Sequence, residues 1–428
     1  MEYYKECGYD IQDGKAIIPE GETEIKDRAF RDCKEITSIS FPSSVKKIEG
    51  FAFSCCSNLT SIFIPESVTE IEDGAFSCCP SLTSISVSKD NKAYDSREDC
   101  NAIIHTESNT LICGCKNTII PPSVTEIGTG AFHGCSGLTD ISIPELVNKI
   151  GFCAFERCTS LTSIAIPESV TEIESYAFSN CSSLVSVSIP PSVTEVEWNA
   201  FKDCASLANI TIPPSVTRIE VEAFKGCSSL TGITIPESVT EIEDSAFSGC
   251  STLASIFIPA SVTEIGERVF ERCSNLTSIN VSKDNKAYDS REDCNAIIHT
   301  ESNTLIRGCE NTIIPPSVTE IGRDAFSGCV NLTSIYIPES VTEIGWGAFS
   351  HCSNLTSITL PPSVNKIGGQ VFWGCSSLTC ITIPPLVTKI GWSDFPECYS
   401  LTEVRIPKGC HVDKEAFISC PNVQIIRY

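Results

Sequence analysis

The sequence predicts a β-solenoid, which is a stack of similar coils made by one repeated unit. Over most of the 428 residues a phenylalanine recurs every 23 residues, and a cysteine stands three positions after each one. Between these pairs, the segment Leu-Thr-Ser-Ile-x-Ile-Pro alternates apolar and polar residues, as a short strand with one buried face does. Internal periods of roughly 20–50 residues indicate stacked-coil architectures.

The repeat is S-V-T-E-I-G-x-x-A-F-x-x-C-x-x-L-T-S-I-x-I-P, and it is clearest at residues 238–259. Its proline ends the strand, because proline has no N–H for a ladder. Val and Ile of V-T-E-I form a second apolar pair on the return path, and Ala-Phe with Cys fill the remaining side. One unit cannot bury these groups alone, so stacked coils must bury them as columns. We therefore predict a leucine-rich-repeat solenoid of mainly short parallel β-strands, with irregular or short helical return segments, wound as a right-handed curved superhelix.

The departures from the repeat predict the domain organisation. Residues 1–22 and 409–428 depart from the unit and are expected to cap the solenoid of residues 23–408, since terminal coils need shielding. Extended units occur near 84–121 and 278–315, each with an expected hairpin (102–105 with 110–112 in the first). Residues 84–132 recur almost unchanged at 278–326, which indicates a tandem duplication with an offset of 194 residues.

Composition excludes several classes of function. The formal net charge of −24 repels phosphate backbones, so we expect no nucleic-acid partner. No apolar run is long enough to span a membrane, and the N-terminus lacks the features of a secretory signal, so the location stays open. No phosphate-binding glycine loop, nucleophile elbow or paired-histidine motif occurs in the sequence, so we expect neither catalysis nor a cofactor.

The repeat string is similar to the 23-residue unit of the BspA-like leucine-rich-repeat proteins. The extended unit, with Tyr94-Asp95-Ser96-Arg97 and Cys100-Asn101-Ala102-Ile103-Ile104, resembles the long units of bacterial members. The resemblance covers nearly the whole chain. It implies a curved solenoid with a strand-lined concave face, a surface or secreted location, adhesion to other proteins and no catalytic residues.

The cysteines admit a structural and a functional interpretation. Fifteen of the 26 follow the anchor phenylalanines and predict a column of buried free thiols, because a zinc site needs ligands that converge on one point. Cys55 and Cys78 lie outside this column in matching positions of adjacent coils, where a disulfide remains open. Cys113-x-Cys115 is a weak signal, since the second copy has Arg307 in place of Cys113.

A charged column is expected on the return path, before the Ile of V-T-E-I. Like charges stacked at coil spacing repel, and each interspersed cation relieves its neighbours. A solvated acidic stripe is the interpretation that we favour over a divalent-cation site, and we predict no metal. The column contains Glu24, Lys47, Glu70, Glu126, Lys149, Glu172, Glu195, Arg218, Glu241, Glu264, Glu320, Glu343, Lys366 and Lys389.

The ligand-binding prediction concerns the residue between the two Ile of each strand, which points outward onto the concave sheet. Most of these residues are small and polar, so exposed aromatics among them resemble interface anchors. The candidates on this face are Phe63, Phe257, Asn280, Tyr336 and Arg405. A rival set stands three residues before anchor phenylalanines on the return side: Phe152, Trp198, Trp346 and Trp392.

Two functions remain open at this point. The first is a non-catalytic adhesion or recognition protein that binds a protein ligand through the concave sheet. The second is an intracellular scaffold or partner-recognition subunit of a larger assembly.

Overall fold

The computed structural model describes residues 9–391 and 394–428. They belong to two compact units, residues 1–215 and 216–428, and each unit is a stack of coils joined by short, mostly parallel strands. The described residues contain no α-helix, and their only helices are two three-residue 3-10 turns, Arg97–Asp99 and Arg291–Asp293. The predicted solenoid with irregular return segments is therefore confirmed.

In the first unit, the Leu-x-x-Ile-x-Ile segments form a ladder that we call the strand sheet. It begins with an antiparallel hairpin, Asp10–Gln12 with Lys15–Ile17, and the later strands pair in parallel. Those later strands are Ser38–Ser40, Ser61–Ile64, Ser84–Val87, Ser186–Ser188 and Asn209–Thr211.

A second ladder of the first unit, the return sheet, is made by the dipeptides of V-T-E-I and by the extended unit. The dipeptide strands are Glu24–Ile25, Lys47–Ile48, Glu70–Ile71, Glu126–Ile127, Lys149–Ile150, Glu172–Ile173 and Glu195–Val196. The extended unit adds Tyr94–Asp95, Ile103–His105 and Thr110–Cys113, and these three strands pair antiparallel to one another. The antiparallel pairing of Ile103–His105 with Thr110–Cys113 confirms the predicted hairpin. Thr110–Cys113 then pairs in parallel with Glu126–Ile127.

The second unit repeats this plan. Its strand sheet consists of Ser255–Ile258, Ser278–Val281, Cys380–Thr382, Glu403–Ile406 and Gln424–Arg427. Its return sheet has the dipeptide strands Arg218–Ile219, Glu241–Ile242, Glu264–Ile265, Glu320–Ile321, Glu343–Ile344, Lys366–Ile367, Lys389–Ile390 and His411–Val412. The second extended unit contributes Tyr288–Asp289, Ile297–His299 and Thr304–Arg307.

A strand in every Leu-x-x-Ile-x-Ile segment was too broad a prediction. Several coils contribute only isolated bridges, such as Ser142 with Ala165 and Tyr336 with Thr359. These coils are still joined by backbone bonds from the threonine that precedes the strand position, as from Thr162 N–H to the Thr139 carbonyl (3.1 Å). In these coils the strand ladder is incomplete. One such backbone hydrogen bond per coil, together with the buried columns, maintains the register between adjacent coils.

The return segments are also hydrogen-bonded from coil to coil, which the repeat did not predict. The residues two before and two after most anchor phenylalanines adopt left-handed backbone, as Ser245 (φ 57°) and Gly249 (φ 76°) do. Their N–H groups donate to the next coil, Ser245 to the Glu267 carbonyl (2.9 Å) and Gly249 to the Glu271 carbonyl (2.7 Å). These bonds satisfy backbone that has no helix or ladder of its own.

The anchor phenylalanines form the core of each unit. Their rings stack nearly parallel, with centroids 5.4 Å apart for Phe155 and Phe178 and 5.4 Å apart for Phe224 and Phe247. Nearly all are fully buried. The predicted column is confirmed, and its burial is the main stabilising contribution of the stack.

Each extended unit contains a coil from which the return segment is missing. Gly114 takes the place of the anchor phenylalanine there, and its N–H donates to the Ala131 carbonyl (2.8 Å) as an anchor's would. A Cβ at Gly114 would lie 2.2 Å from the Phe132 ring, so only glycine fits. The flanking return segments therefore meet directly, as the bond from Cys78 N–H to the His133 carbonyl (2.6 Å) shows.

Candidate functional site

The outward positions of the strand sheet, here called the strand face, are exposed as predicted. Every position from Ser40 to Arg405 that the repeat assigns to this row is open to solvent. Most of these positions carry serine or threonine, so the few larger side chains project beyond their neighbours. The row consists of Ser40, Phe63, Ser86, Ser142, Ala165, Ser188, Thr211, Thr234, Phe257, Asn280, Tyr336, Thr359, Thr382 and Arg405.

Two isoleucines of the strand face were missed by the repeat alignment. Ile119 and Ile313 are the most exposed large apolar residues of their extended units, at 77% and 75%. The extended units lack the usual Leu and first Ile, so counting forward from the cysteine does not find Ile119 or Ile313. Counting back from Pro121 would have found Ile119, because the residue two before the proline is the outward one in the coils whose strand ends in proline.

In the second unit the exposed apolar residues occupy nearby positions of the row. Phe257 is 49% exposed and pairs across the ladder with Asn280, while Tyr336 is 74% exposed and stands one repeat position after Ile313. The sequence-predicted candidates Phe257, Asn280 and Tyr336 thus share one surface with Ile313. We call these four residues the second-unit patch.

The other predicted residues of this face are placed differently. Phe63, 52% exposed, is the first-unit counterpart of Phe257 and pairs with Ser86 rather than with an asparagine. Arg405 is exposed, but its Nε donates to the Glu403 carboxylate at 2.7 Å. Its charge is already paired, and it belongs to a separate group of strands.

An open groove of about 740 Å³ crosses the strand face at the first extended unit. Arg97 lies in its polar wall and donates two hydrogen bonds to the Asp95 carboxylate (2.8 and 2.7 Å). It also donates one hydrogen bond to Asn109 Oδ1 (2.8 Å). A second groove of about 610 Å³ follows, lined by Ile119 and the exposed Leu146. The extended unit thus places a polar and an apolar recess side by side.

The rival return-side residues lie at equivalent places in the two copies. Phe152 and Trp198 are exposed in the first unit, and Phe152 packs edge-on against Tyr176 with centroids 5.6 Å apart. In the second unit the Trp346 ring lies over Gly369, where a Cβ would approach it to 2.5 Å. Trp392 lies outside the described residues. Phe152 and Trp346 thus both pack on the neighbouring coil.

The cysteine column has a structural role. Most of these thiols donate to the carbonyl of the anchor phenylalanine one coil earlier, as Cys250 does to Phe224 (3.3 Å) and Cys375 to Phe349 (3.1 Å). Cys135 and Cys329 donate instead to the carbonyls of Gly114 (3.7 Å) and Gly308 (3.8 Å). The thiols are buried, and burial raises the pKa of Cys375 to about 12, which keeps the thiol protonated. The prediction of free thiols is confirmed for this column except at Cys33, which is disulfide-bonded.

The off-column cysteines among the described residues are free and differ in exposure. Cys55 and Cys78 both sit at left-handed positions after an anchor, and burial with the neighbouring Cys55 raises the pKa of Cys78 to about 12. Cys113 and Cys115 are free and buried. Cys380 is exposed on the strand sheet and has the most accessible thiol of the described chain.

The charged column on the return sheet forms ion pairs between coils, as predicted. Lys47 Nζ lies 2.7 Å from Glu70 and 2.5 Å from Glu72, and these hydrogen bonds raise the lysine pKa. Arg218 likewise contacts Glu241 (2.9 Å) and Glu243 (3.0 Å). Within residues 9–391 and 394–428, no group of three or more His, Cys, Asp or Glu is arranged to hold a metal ion.

Comparison with known proteins agrees with this architecture. A family model described as a BspA type leucine rich repeat region matches in six copies, over residues 5–101, 108–231, 194–295 and 296–424. No curated protein matches the chain. The described part of the chain also holds no helix with the length and hydropathy to cross a bilayer.

Two solved structures are similar over nearly the whole length. A leucine rich cell surface protein from Faecalibacterium prausnitzii is 29% identical, with a TM-score of 0.52, and the match covers 92% of this chain and 87% of that one. A leucine-rich repeat protein from Bacteroides ovatus is 27% identical, with a TM-score of 0.52, over 100% of this chain and 97% of that one. Because the family model spans most of the sequence, the chain belongs to the BspA type leucine-rich-repeat family.

Proposed function

We propose that this protein is a non-catalytic recognition or adhesion protein, which binds a protein ligand through the strand face. The observation that carries the proposal is the second-unit patch, where Phe257, Ile313 and Tyr336 are 49%, 75% and 74% exposed among small polar neighbours. Exposed apolar side chains grouped on one face mark interaction surfaces, and aromatic anchors dominate the energy of most interfaces.

Family and chemistry support the same proposal. Proteins of this family generally bind other proteins, and the similar Faecalibacterium protein is described as a cell surface protein. Burial keeps the column thiols protonated and hydrogen-bonded, and several carboxylates of the charged column pair with cations of adjacent coils. These side chains stabilise the stack, which leaves recognition to the strand face. The net charge of −24 favours a partner whose contact surface is neutral or basic.

The test uses a photo-crosslinking amino acid at position 336, with position 359 of the same face as a matched site. Intact protein is exposed to candidate ligand extracts, and crosslinked partners are identified by mass spectrometry. We expect a discrete partner at position 336. Replacing Phe257, Ile313 and Tyr336 by serine should weaken binding of that partner by at least about tenfold, as the loss of interface anchors does.

The return-side variant Trp346→Ser is the control. Circular dichroism and the melting temperature show whether each variant is folded. If the strand-face variant binds normally and Trp346→Ser does not, the working surface is the return side and the strand-face proposal is wrong.

An intracellular scaffold is a second candidate, and one observation favours it. The described chain has 24 free cysteines, and unpaired thiols are typical of a reducing compartment. Antibody labelling of intact and permeabilised cells distinguishes the two candidates. Labelling of intact cells supports the surface protein, and labelling only after permeabilisation supports the scaffold.

A further inference from the structure

Cys55 and Cys78 form a pair of half-buried thiols on the return side of the first unit. They occupy the same position in adjacent coils, two residues after the anchors Phe53 and Phe76. The rings of these anchors lie 5.4 Å apart, and the Cys55 N–H donates to the carbonyl of Ser77 (2.9 Å), the residue before Cys78. Disulfides join Cα atoms about 4.4–6.8 Å apart, so the spacing of these coils suits a disulfide between the two residues.

The two thiols also interact directly. Burial, the charge of Cys55 and a side-chain hydrogen bond with Cys55 raise the pKa of Cys78 to about 12, so Cys78 keeps its proton at neutral pH. A Cβ at Gly134 would lie 2.7 Å from Cys78 Sγ, which shows that the backbone of the following coil packs against this sulfur. Cys55 is therefore the member of the pair that reacts first with an oxidant, and Cys78 is the member that resolves the product.

The fold does not require cysteine at these two positions. The equivalent residues of the second unit are Gly249 and Arg272, whose left-handed backbone (φ 76° and 58°) matches that of Cys55 and Cys78 (φ 61° and 55°). Left-handed backbone favours glycine and asparagine rather than cysteine. No other anchor phenylalanine of the sequence is followed by a cysteine two residues later. The two cysteines of this row thus stand next to each other, which indicates a chemistry that needs both.

We propose that Cys55 and Cys78 are a redox-sensitive pair, which hydrogen peroxide oxidises to a disulfide between adjacent coils. In the first step the Cys55 thiolate attacks the peroxide. An S–O bond forms, the O–O bond breaks, and the leaving hydroxide takes up the proton that Cys55 released. In the second step the Cys78 sulfur attacks the sulfenic acid of Cys55. The S–S bond forms, the S–O bond breaks, and the oxygen leaves as water with the proton of Cys78, so that one peroxide yields two waters.

The disulfide stabilises the stack where it lacks a return segment. The Cys78 N–H donates to the His133 carbonyl (2.6 Å) across that junction, so the bond joins the coil at the junction to the coil before it. A cross-link between adjacent coils restricts the unfolded chain and thereby raises stability. The site lies outside the strand face, so its failure would leave the proposed function untouched.

Peptide mapping of the full chain by mass spectrometry tests the proposal. The folded protein is treated with hydrogen peroxide, its remaining thiols are alkylated, and a protease that cuts after glutamate separates peptide 50–66, with Cys55, from peptide 73–98, with Cys78. We expect these two peptides to become linked, with the loss of two hydrogens. The melting temperature should rise by at least about 2 °C, and a thiol reductant should reverse the linkage.

Variants identify which thiols are joined, because each peptide also contains a column cysteine, Cys56 or Cys79. Cys55→Gly carries the residue of the second unit and should abolish both the linkage and the rise in melting temperature. Cys78→Ser, which keeps the size of the side chain, should do the same. Cys380→Ser is the control, since it removes the exposed thiol of the strand sheet and should change neither result.

Three outcomes would overturn the proposal. The first is that peroxide leaves the two peptides unlinked in the folded wild-type protein. The second is that the linkage persists in folded Cys55→Gly, which would place the bond in the buried column. The third is that Cys78 is joined instead to Cys153, the other off-column thiol in its surroundings.

Discussion

The stacked phenylalanine column predicts that a mid-stack anchor contributes more stability than a terminal one. Phe247 is fully buried, and its ring lies between Phe224 and Phe270, with centroids 5.4 and 5.6 Å away. Phe247→Ala removes a buried ring and both stacking contacts, each of which contributes about 0.5–1.5 kcal/mol beyond area burial. With the cavity that remains, the free energy of unfolding should fall by about 3–5 kcal/mol.

Phe417 is the matched terminal site. It is only partly buried, and it stacks on Phe395 alone, at 5.0 Å. Phe417→Ala should therefore lower the free energy of unfolding by about 1–2 kcal/mol, since a terminal coil has one neighbour and can fray.

Hydrogen exchange read by mass spectrometry is the appropriate assay, because repeat stacks can open from their ends rather than in one two-state step. Phe247→Ala should speed exchange in its own coil and in the coils on both sides. Phe417→Ala should affect only the last coils. Equal losses of stability at the two sites, or faster exchange confined to the coil of Phe247, would refute the stacked-column reasoning.

Three further predictions follow from the core and its edges. Native thiol titration should label mainly the exposed Cys380, and Cys380→Ser should remove this fast phase of labelling. Denaturation should make nearly all the buried thiols reactive. Extensive labelling of the native protein would contradict the buried column. Burial raises the pKa of Asp394 to about 6, so its stabilising contribution is present below about pH 4 and is lost as pH rises through about 6. Asp394→Asn should thus be more stable than wild type at pH 7, by about 2–3 kcal/mol, and lose this advantage near pH 4 in denaturant titrations; a pH-independent difference would exclude this titration. Gly308→Ala should lower the free energy of unfolding by about 1–3 kcal/mol, because the new Cβ would lie 2.2 Å from the Phe326 ring. Gly232→Ala is the control, since a Cβ there would have no atom within 4 Å, and it should change the free energy of unfolding by less than about 0.5 kcal/mol.

The buried columns could be predicted from the sequence because every coil must fill the same space. Phe, Cys and the strand Ile recur at fixed offsets, and the structure buries nearly all of them. The left-handed residues of the return segments could not be predicted in this way. They include Cys55, Arg157 and Asn180 as well as glycines, so residue type does not mark them. Hydrogen bonds from the adjacent coil hold this backbone, and such bonds arise only in the stack.

The extended units show where counting along a repeat fails. Gly114 replaces an anchor and the return segment is absent, so forward alignment loses the outward residue Ile119.

The two copies also show which strand-face residues the units share and which differ between them. Phe63 and Phe257, like Ile119 and Ile313, are identical at equivalent positions, so duplication alone accounts for them. The copies differ on the two sides of Ile313, where Asn280 and Tyr336 replace serines of the first unit. In the proposed binding surface, Tyr336 adds an exposed aromatic side chain that the first copy lacks. Tyr336→Ser should therefore weaken binding more than Phe63→Ser does, and equal effects would indicate that both units bind alike.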